Sequence, residues 1–428
     1  MSRKNYSILR TVSLIAIVAF SVFGLVSGVQ AQEPDAIVGT SLLRVRTGPS
    51  RSAAIVATEP KGTAISLDGR DRFANWVHGK AADGAVGWMS RPYLSIRNSL
   101  DVNTLPVLAG ASSSSANVPA AGRLSGGFEL GGQVVDLNGT TVAAMQRSGM
   151  HWVKRQIGVG DGQSAGWIAQ AHGAGFKILL SVIGDKNSVL NPGYFNQYAG
   201  YVGTLAGQGA DALEVWNEAN IDREWPTGHI DPGVYTQLLA AAYKAIKANN
   251  GNTIVISGAP SPTGAEGAFG LGSVWNDDHF YNGLAAAGAG SYADCIGVHY
   301  NEGIVSPVQT SGDPRDNYPT RYFSTMLNRA LAGFPGKKAC FTELGYLTAE
   351  GYPPLPGGFA WAGNVTLAQQ ASWLALAASR ASASGRVRLM IVWNIDATRY
   401  DSDPQAGYAI IRPGGSCPAC DSLGRIAG

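Results

Sequence analysis

Two glutamates stand where short apolar runs end. Glu218 lies in Glu214-Val215-Trp216-Asn217-Glu218-Ala219-Asn220, and Glu343 in Phe341-Thr342-Glu343-Leu344-Gly345-Tyr346. Two carboxyl groups that flank one bond can divide a displacement between them. One protonates the leaving oxygen, and the other attacks or supports the carbon left behind; cleaving a glycosidic bond uses this division. The proton donor must hold its proton near neutral pH, so its surroundings must raise its pKa.

Such a pair needs a scaffold that brings distant segments to one mouth. From residue 125 onward, short apolar runs alternate with helical stretches. The expected strands are 127–131, 151–157, 177–183, 212–217, 253–258, 295–300, 338–344 and 389–394. Helices are expected between them, most clearly over 231–248, where Val234, Leu238, Leu239, Ala242 and Ile246 share one face, and over 367–379. Eight such repeats imply the α/β class and a (β/α)8 TIM barrel rather than an open doubly wound sheet. In that barrel the reactive groups sit at the C-terminal ends of the strands. Glu218 then ends the fourth strand and Glu343 the seventh. Gly131-Gly132 alone is too little for a dinucleotide site, and the long tail after the eighth strand implies a short last helix.

The Trp216-Asn217-Glu218 run at the end of the fourth strand resembles glycoside hydrolase clan A, the retaining TIM-barrel glycosidases, and most of all its cellulase-like and xylosidase-like members. The resemblance spans roughly residues 125–415. It implies that Glu218 is the acid/base, that Glu343 is the nucleophile and that Asn217 bonds the sugar 2-hydroxyl. It implies that Arg155, at the end of the second strand, orients the nucleophile, and that Trp393, at the end of the eighth, forms an aromatic floor under the sugar. His299 and Tyr300 end the sixth strand. Neighbours on a strand face opposite ways, so only one should reach nucleophile or substrate. The clan more often separates its His and Tyr by one residue. The resemblance implies double displacement on a β-linked polysaccharide or oligosaccharide, with no cofactor and no metal. Trp225, Trp275, Trp361 and Tyr400 fall in expected loops, where they either stack on sugars or pin the loops. Glu129 and Asp185 are further carboxylates near strand ends.

The N-terminus carries Arg3, Lys4 and Arg10, then an apolar run from Thr11 to Val26, then Val29-Gln30-Ala31. That is the pattern of a secretory signal over 1–31, with an uncleaved anchor as the alternative. It implies a secreted, periplasmic or cell-surface protein with no membrane association once the signal is cut. Residues 36–97 alternate strand-like segments with turn signals such as Thr47-Gly48-Pro49-Ser50, the pattern of a small antiparallel barrel. Leu43-Arg44-Val45-Arg46-Thr47-Gly48-Pro49, Asn75-Trp76 and Gly87-Trp88-Met89-Ser90 resemble a bacterial SH3-like domain. That resemblance implies either a cell-wall peptide or glycan partner or a spacer. Residues 98–124 are small and polar, with Ser112-Ser113-Ser114-Ser115, and read as a flexible linker. The catalytic domain is then 125–428. A formal net charge of +2 leaves no excess positive charge for nucleic acid.

The four cysteines are Cys295, Cys340, Cys417 and Cys420. Buried free thiols are the default for the first two, with a cross-strand disulfide as the alternative. Cys417-Pro-Ala-Cys420 reads as a local disulfide or two free thiols, because a zinc site would need further ligands. Two other functions compete with the glycosidase reading. A cell-wall amidase would require a Cys-His or zinc constellation. A non-catalytic cell-wall or glycan-binding protein on the same scaffold would require a broken carboxylate pair.

Overall fold

The computed structural model describes residues 33–50, 53–71, 74–108 and 121–427. The expected signal over 1–31 lies outside the described residues, as do residues 109–120 of the expected linker. The chain divides into two compact units, with the boundary after Gly110.

The first unit is an antiparallel sheet of seven strands: β1 (Ala36–Val38), β2 (Leu42–Arg46), β3 (Ile55–Pro60), β4 (Ala64–Arg70), β5 (Trp76–Ala81), β6 (Val86–Ser90) and β7 (Leu94–Ile96). Their order is β3-β2-β6-β5-β4-β1-β7. Burial alternates along β4, as the period-two pattern requires. Val38, Val45, Ile65, Val77 and Met89 form the core. Residues 98–108 belong to this unit rather than to a linker: Val102 is buried in its core and Arg70 N–H donates to Pro106 O at 2.9 Å. At the other end of the segment, Leu124 N–H donates to Ile426 O at 2.9 Å and so belongs to the second unit.

The second unit is a closed barrel of eight parallel strands with helices. Its strands are β8 (Glu129–Gln133), β9 (Trp152–Gly158), β10 (Lys177–Ile183), β11 (Ala212–Val215), β12 (Ile254–Ser257), β13 (Cys295–Tyr300), β14 (Lys338–Leu344) and β15 (Val387–Val392). The helices between and after them are α1 (Gly139–Arg147), α2 (Ser164–Gly173), α3 (Tyr194–Gly207), α4 (Pro232–Asn249), α5 (Glu266–Phe269), α6 (Asp277–Ala286), α7 (Phe323–Leu331), α8 (Leu367–Ala383) and α9 (Pro418–Ala427). Local chemistry sets their starts. Asp231 caps α4 through Gly233 N and Val234 N, with Pro232 in the first turn, and Thr366 with Gln369 makes a capping box on α8. The tail is not bare: α9 packs on α8 and α1.

The barrel interior is layered. Trp152, Leu179, Ala212, Ile256, Cys295, Cys340, Leu389 and Ile391 form a dry lower layer. Cys295 and Cys340 are joined there as a cross-strand disulfide, with Cα atoms 5.8 Å apart, rather than being free thiols. Cys417 and Cys420 form a second disulfide at the start of α9. Two residues further along β9 and β11, the side chains facing the same way are Lys154 and Glu214, both fully buried.

Candidate active site

The chain leaves β11 through a tight kink. Trp216 and Glu218 have φ of 69° and 42°. For residues with a Cβ, that left-handed region is unfavourable by roughly 1–3 kcal/mol each. Packing and hydrogen bonds hold both in place. Trp216 N–H donates to Val182 O at 3.0 Å, Glu218 N–H donates to Ala259 O at 3.0 Å, and the Trp216 ring lies against Tyr198 and Trp225. The result is a buried carboxylate at the C-terminal mouth of the barrel, 5% exposed.

A bulge places the second carboxylate. Along β14, Phe341 pairs with Val298, but Glu343 pairs with His299, so Thr342 is the extra residue. A bulge re-aims the residues around it. Thr342 donates to the interior Glu214 at 2.7 Å, and Glu343 also comes within 3.2 Å of the interior Lys154 ammonium. Two successive residues therefore reach the same network, which a regular strand does not allow.

His299 joins the two glutamates. Its Nδ1 donates to Glu218 Oε1 at 3.1 Å and lies 3.7 Å from Glu343 Oε2. On the far side of Glu343, Lys154 is 3.6 Å from Glu214. On the far side of Glu218, Arg223 pairs with Oε2 and reaches Glu224 Oε1 at 3.1 Å through Nε. Six groups thus form one row: Arg223, Glu218, His299, Glu343, Lys154, Glu214. Alternation of sign lets the inner members stay buried, while Arg223 ends the row at the surface.

Burial alone would push the Glu218 carboxyl up. The hydrogen bond and charge of His299 and the charge of Arg223 outweigh it and hold Glu218 below its ordinary value in the free protein, opposite to the raised pKa expected of a proton donor. Burial opposes charging of His299, but Glu343 and Glu218 raise its pKa. Buried polar atoms without a hydrogen-bond partner here include Asn217 Oδ1, His299 Nε2 and Glu214 Oε2, the last of these within 3.6 Å of Lys154. Unsatisfied buried groups of this kind are what a bound ligand's hydroxyls would satisfy.

Of the residues expected from the sequence, Glu218, Glu343 and His299 come together, and Asn217 lies between the strained residues. Arg155 does not join them. Strand alternation turns it outward, where it bonds the Val134 and Val135 carbonyls and stacks 3.7 Å from the Trp167 ring centre. The cation beside the nucleophile candidate is its neighbour Lys154. Tyr300 also faces away from His299, into the helix layer, with its hydroxyl donating to Arg321 O at 3.0 Å and its ring against Phe323 and Tyr346. Trp393 stands just past β15, half-buried against Tyr408, and its N–H donates to Leu344 O, beside Glu343.

The other candidates have structural partners. Trp225 is wholly buried between Trp216 and Tyr235. Trp275 stacks on His279, Trp361 on Arg315 and Tyr400 on Tyr352. Glu129 pairs with Lys177 where β8 and β10 begin, at the opposite end of the barrel, and Asp185 bonds Ser188 and Asn187 within its own turn. Sequence reasoning missed Lys154, Glu214 and Arg223. The signal for the first two was present: opposite charges in the middle of apolar strands require each other. Among the described residues, no group of three or more His, Cys, Asp or Glu is placed to hold a metal ion, and no helix is long and apolar enough to cross a membrane.

The barrel, with reactive side chains gathered at the strand C-termini, defines the class of (β/α)8 proteins with a polar mouth. No family model and no curated protein matches the sequence. Among solved structures, a family 39 glycoside hydrolase from the gut symbiont Bacteroides cellulosilyticus matches with a TM-score of 0.50 at 14% identity, over 92% of this chain and 77% of that one. At that identity the likeness shows the fold. A glucosidase from Croceicoccus marinus (TM-score 0.48, 13% identity, 72% and 69% covered) and an endo-1,4-β-mannanase from Rhizomucor miehei (0.45, 12%, 72% and 96%) are similar at a level that adds nothing further.

Proposed function

We propose that this protein is an exported retaining glycoside hydrolase acting on β-linked polysaccharide or oligosaccharide. The observation that carries the reading is one imidazole nitrogen, 3.1 Å from Glu218 and 3.7 Å from Glu343. Those distances, laid end to end, limit how far apart the two oxygens can be, and any bend at the nitrogen brings them closer. A bent arrangement at the nitrogen is compatible with the separation of about 5–5.5 Å that direct attack requires.

In this mechanism Glu343 attacks the anomeric carbon while Glu218 gives a proton to the leaving oxygen. A glycosyl ester forms on Glu343. Glu218, now a carboxylate, takes a proton from water, and the resulting hydroxide equivalent displaces Glu343 with a second inversion. Asn217 Oδ1 and His299 Nε2 offer polar partners for sugar hydroxyls, and Lys154 brings positive charge to the nucleophile.

Export is supported by the leader pattern and by two disulfides, which persist in oxidising compartments. The antiparallel first unit is compatible with the SH3-like reading and a cell-wall peptide or glycan partner. The test is a polysaccharide and aryl-glycoside screen with product mapping. Glu343→Gln should abolish hydrolysis, and Glu218→Gln should slow substrates with poor leaving groups by roughly 10²–10⁴. NMR of the first-formed product should show the substrate's own anomeric configuration. An inverted product refutes the double displacement, and no hydrolysis by the unmutated protein across the screen refutes the enzyme.

A further inference from the structure

Both oxygens of Glu218 are occupied: Oε1 by the His299 imidazole and Oε2 by the Arg223 guanidinium. Each oxygen keeps a second lone pair, but a proton on Glu218 removes the charge that holds these contacts, so one donor gives way when the acid turns to a glycosidic bond. His299 is fully buried, whereas the Arg223 side chain is 68% exposed on the loop after β11. Arg223 is therefore the partner that moves. Its Nε is tethered to Glu224 at 3.1 Å, so the guanidinium can pivot without leaving the site.

When Glu218 takes up a proton, Arg223 loses the negative charge it faced. Glu224 bonds its Nε, and the Nη groups of this exposed guanidinium are then open to an anion carried by a ligand. A further cation borders the same loop: Lys186 Nζ donates to Asp222 O at 2.8 Å, and no ion pair of Lys186 is present among the described residues. Building on the glycosidase reading, we propose that Arg223 determines specificity on the leaving-group side, where it receives the carboxylate of an acidic sugar. The substrate class is a uronic-acid-bearing glycan. Transfer of the guanidinium from Glu218 to that carboxylate frees the acid to hold its proton. An arginine fork is suited to this exchange because it bonds carboxylates in two parallel contacts.

The groups that face Glu218 are His299 from β13, Arg223 on its own loop and Ser261 after β12, while Glu343 from β14 and Lys154 from β9 lie beyond His299. Removing Arg223 removes one of the influences that hold the free-enzyme acid ionised. The alkaline limb of the kcat/KM profile, which reports that acid, should then move to higher pH in Arg223→Gln. That shift reports the ion pair with Glu218, while the acidic-to-reduced rate ratio reports recognition of the substrate carboxylate.

The test uses the full chain and a panel of uronic-acid-containing polysaccharides, each paired with its carboxyl-reduced counterpart and accompanied by neutral β-glycans. The unmutated protein should cleave at least one acidic polymer about tenfold or more faster than its reduced form, as one charge-assisted contact allows. Arg223→Gln should erase that ratio and shift the alkaline limb upward, and Arg223→Lys should restore part of the ratio. Equal rates on acidic and reduced polymers, or a ratio that survives in Arg223→Gln, overturn the proposal while leaving the glycosidase reading intact. Cleavage of no panel member, acidic or neutral, overturns both.

Discussion

Lys154 and Arg155 are adjacent cations with opposite fates. Lys154 is buried between two carboxylates, and removing one partner of such a cluster costs about 3–5 kcal/mol. Lys154→Met should therefore lower the thermal midpoint markedly and, in the same preparation, reduce hydrolysis by at least two orders of magnitude, on the order of an electrostatic contact in a dry site. Arg155→Ala loses two carbonyl contacts and a ring contact on the outer face. It should cost about 1–2 kcal/mol and leave kcat within about twofold. The same assays run on both variants decide which cation serves the site. Placing Glu218 at the barrel mouth from the sequence was possible because Trp216-Asn217-Glu218 is a specific string. Choosing between Lys154 and Arg155 was not, because it depends on which face of β9 points inward, and a one-residue error reverses every side chain.

The pH dependence of stability also belongs at this scale. The pKa of His299 is raised on folding, so its contribution is complete below about 6.5, its unfolded value, and fades as pH rises through the folded one. The pKa of Glu218 is lowered, so its contribution is complete above about 4.3 and fades as pH falls through the folded value. Urea midpoints should peak between roughly pH 4.5 and 6.5. In His299→Gln the decline on the alkaline side should flatten; an unchanged decline would place its cause elsewhere.

Among the elements, β10, β13 and β14 have the boundaries expected from their apolar runs, and the remaining barrel strands shift by one or two residues. Alternating runs and helix caps are local signals, so the barrel was legible. The bulge at Thr342 was not, because it exists only in the pairing of β14 with β13 and β15. The disulfide between β13 and β14 was open in the sequence as the alternative to free thiols, and the choice depends on Cys295 and Cys340 facing the same interior layer. It closes a loop with a sequence separation of 45. A double Cys295→Ser, Cys340→Ser variant should lose roughly 4 kcal/mol on the loop-entropy account, seen as a lower denaturation midpoint. Reductant should shift the unmutated protein toward the same midpoint only after unfolding exposes the bond.

For the whole molecule, each unit has its own hydrophobic core, one small and one extensive. Cores that do not merge unfold as separate cooperative units. Calorimetry should resolve two transitions, and the larger enthalpy should belong to the barrel, since unfolding enthalpy scales with residues ordered. Substitutions at Lys154 should move the larger transition alone. A single transition that moves as a whole with Lys154→Met would mean that the units are energetically one. The expected linker shows where composition misleads at this scale. Residues 98–124 are small and polar overall, yet Val102 and Leu105 supply enough apolar surface to complete the first unit's core.

The row from Arg223 to Glu214 has a consequence for how the protein exchanges protons with its surroundings. Within it, Glu218 and His299 share a hydrogen bond and so take up protons as a pair. A ligand that draws Arg223 off Glu218 changes the number of protons the row holds. Binding should then carry a proton uptake, and the heat of binding measured in buffers of different ionisation enthalpy should differ by the buffer's share of that proton. The barrel mouth is in this sense a proton store whose filling is set by what occupies the cleft.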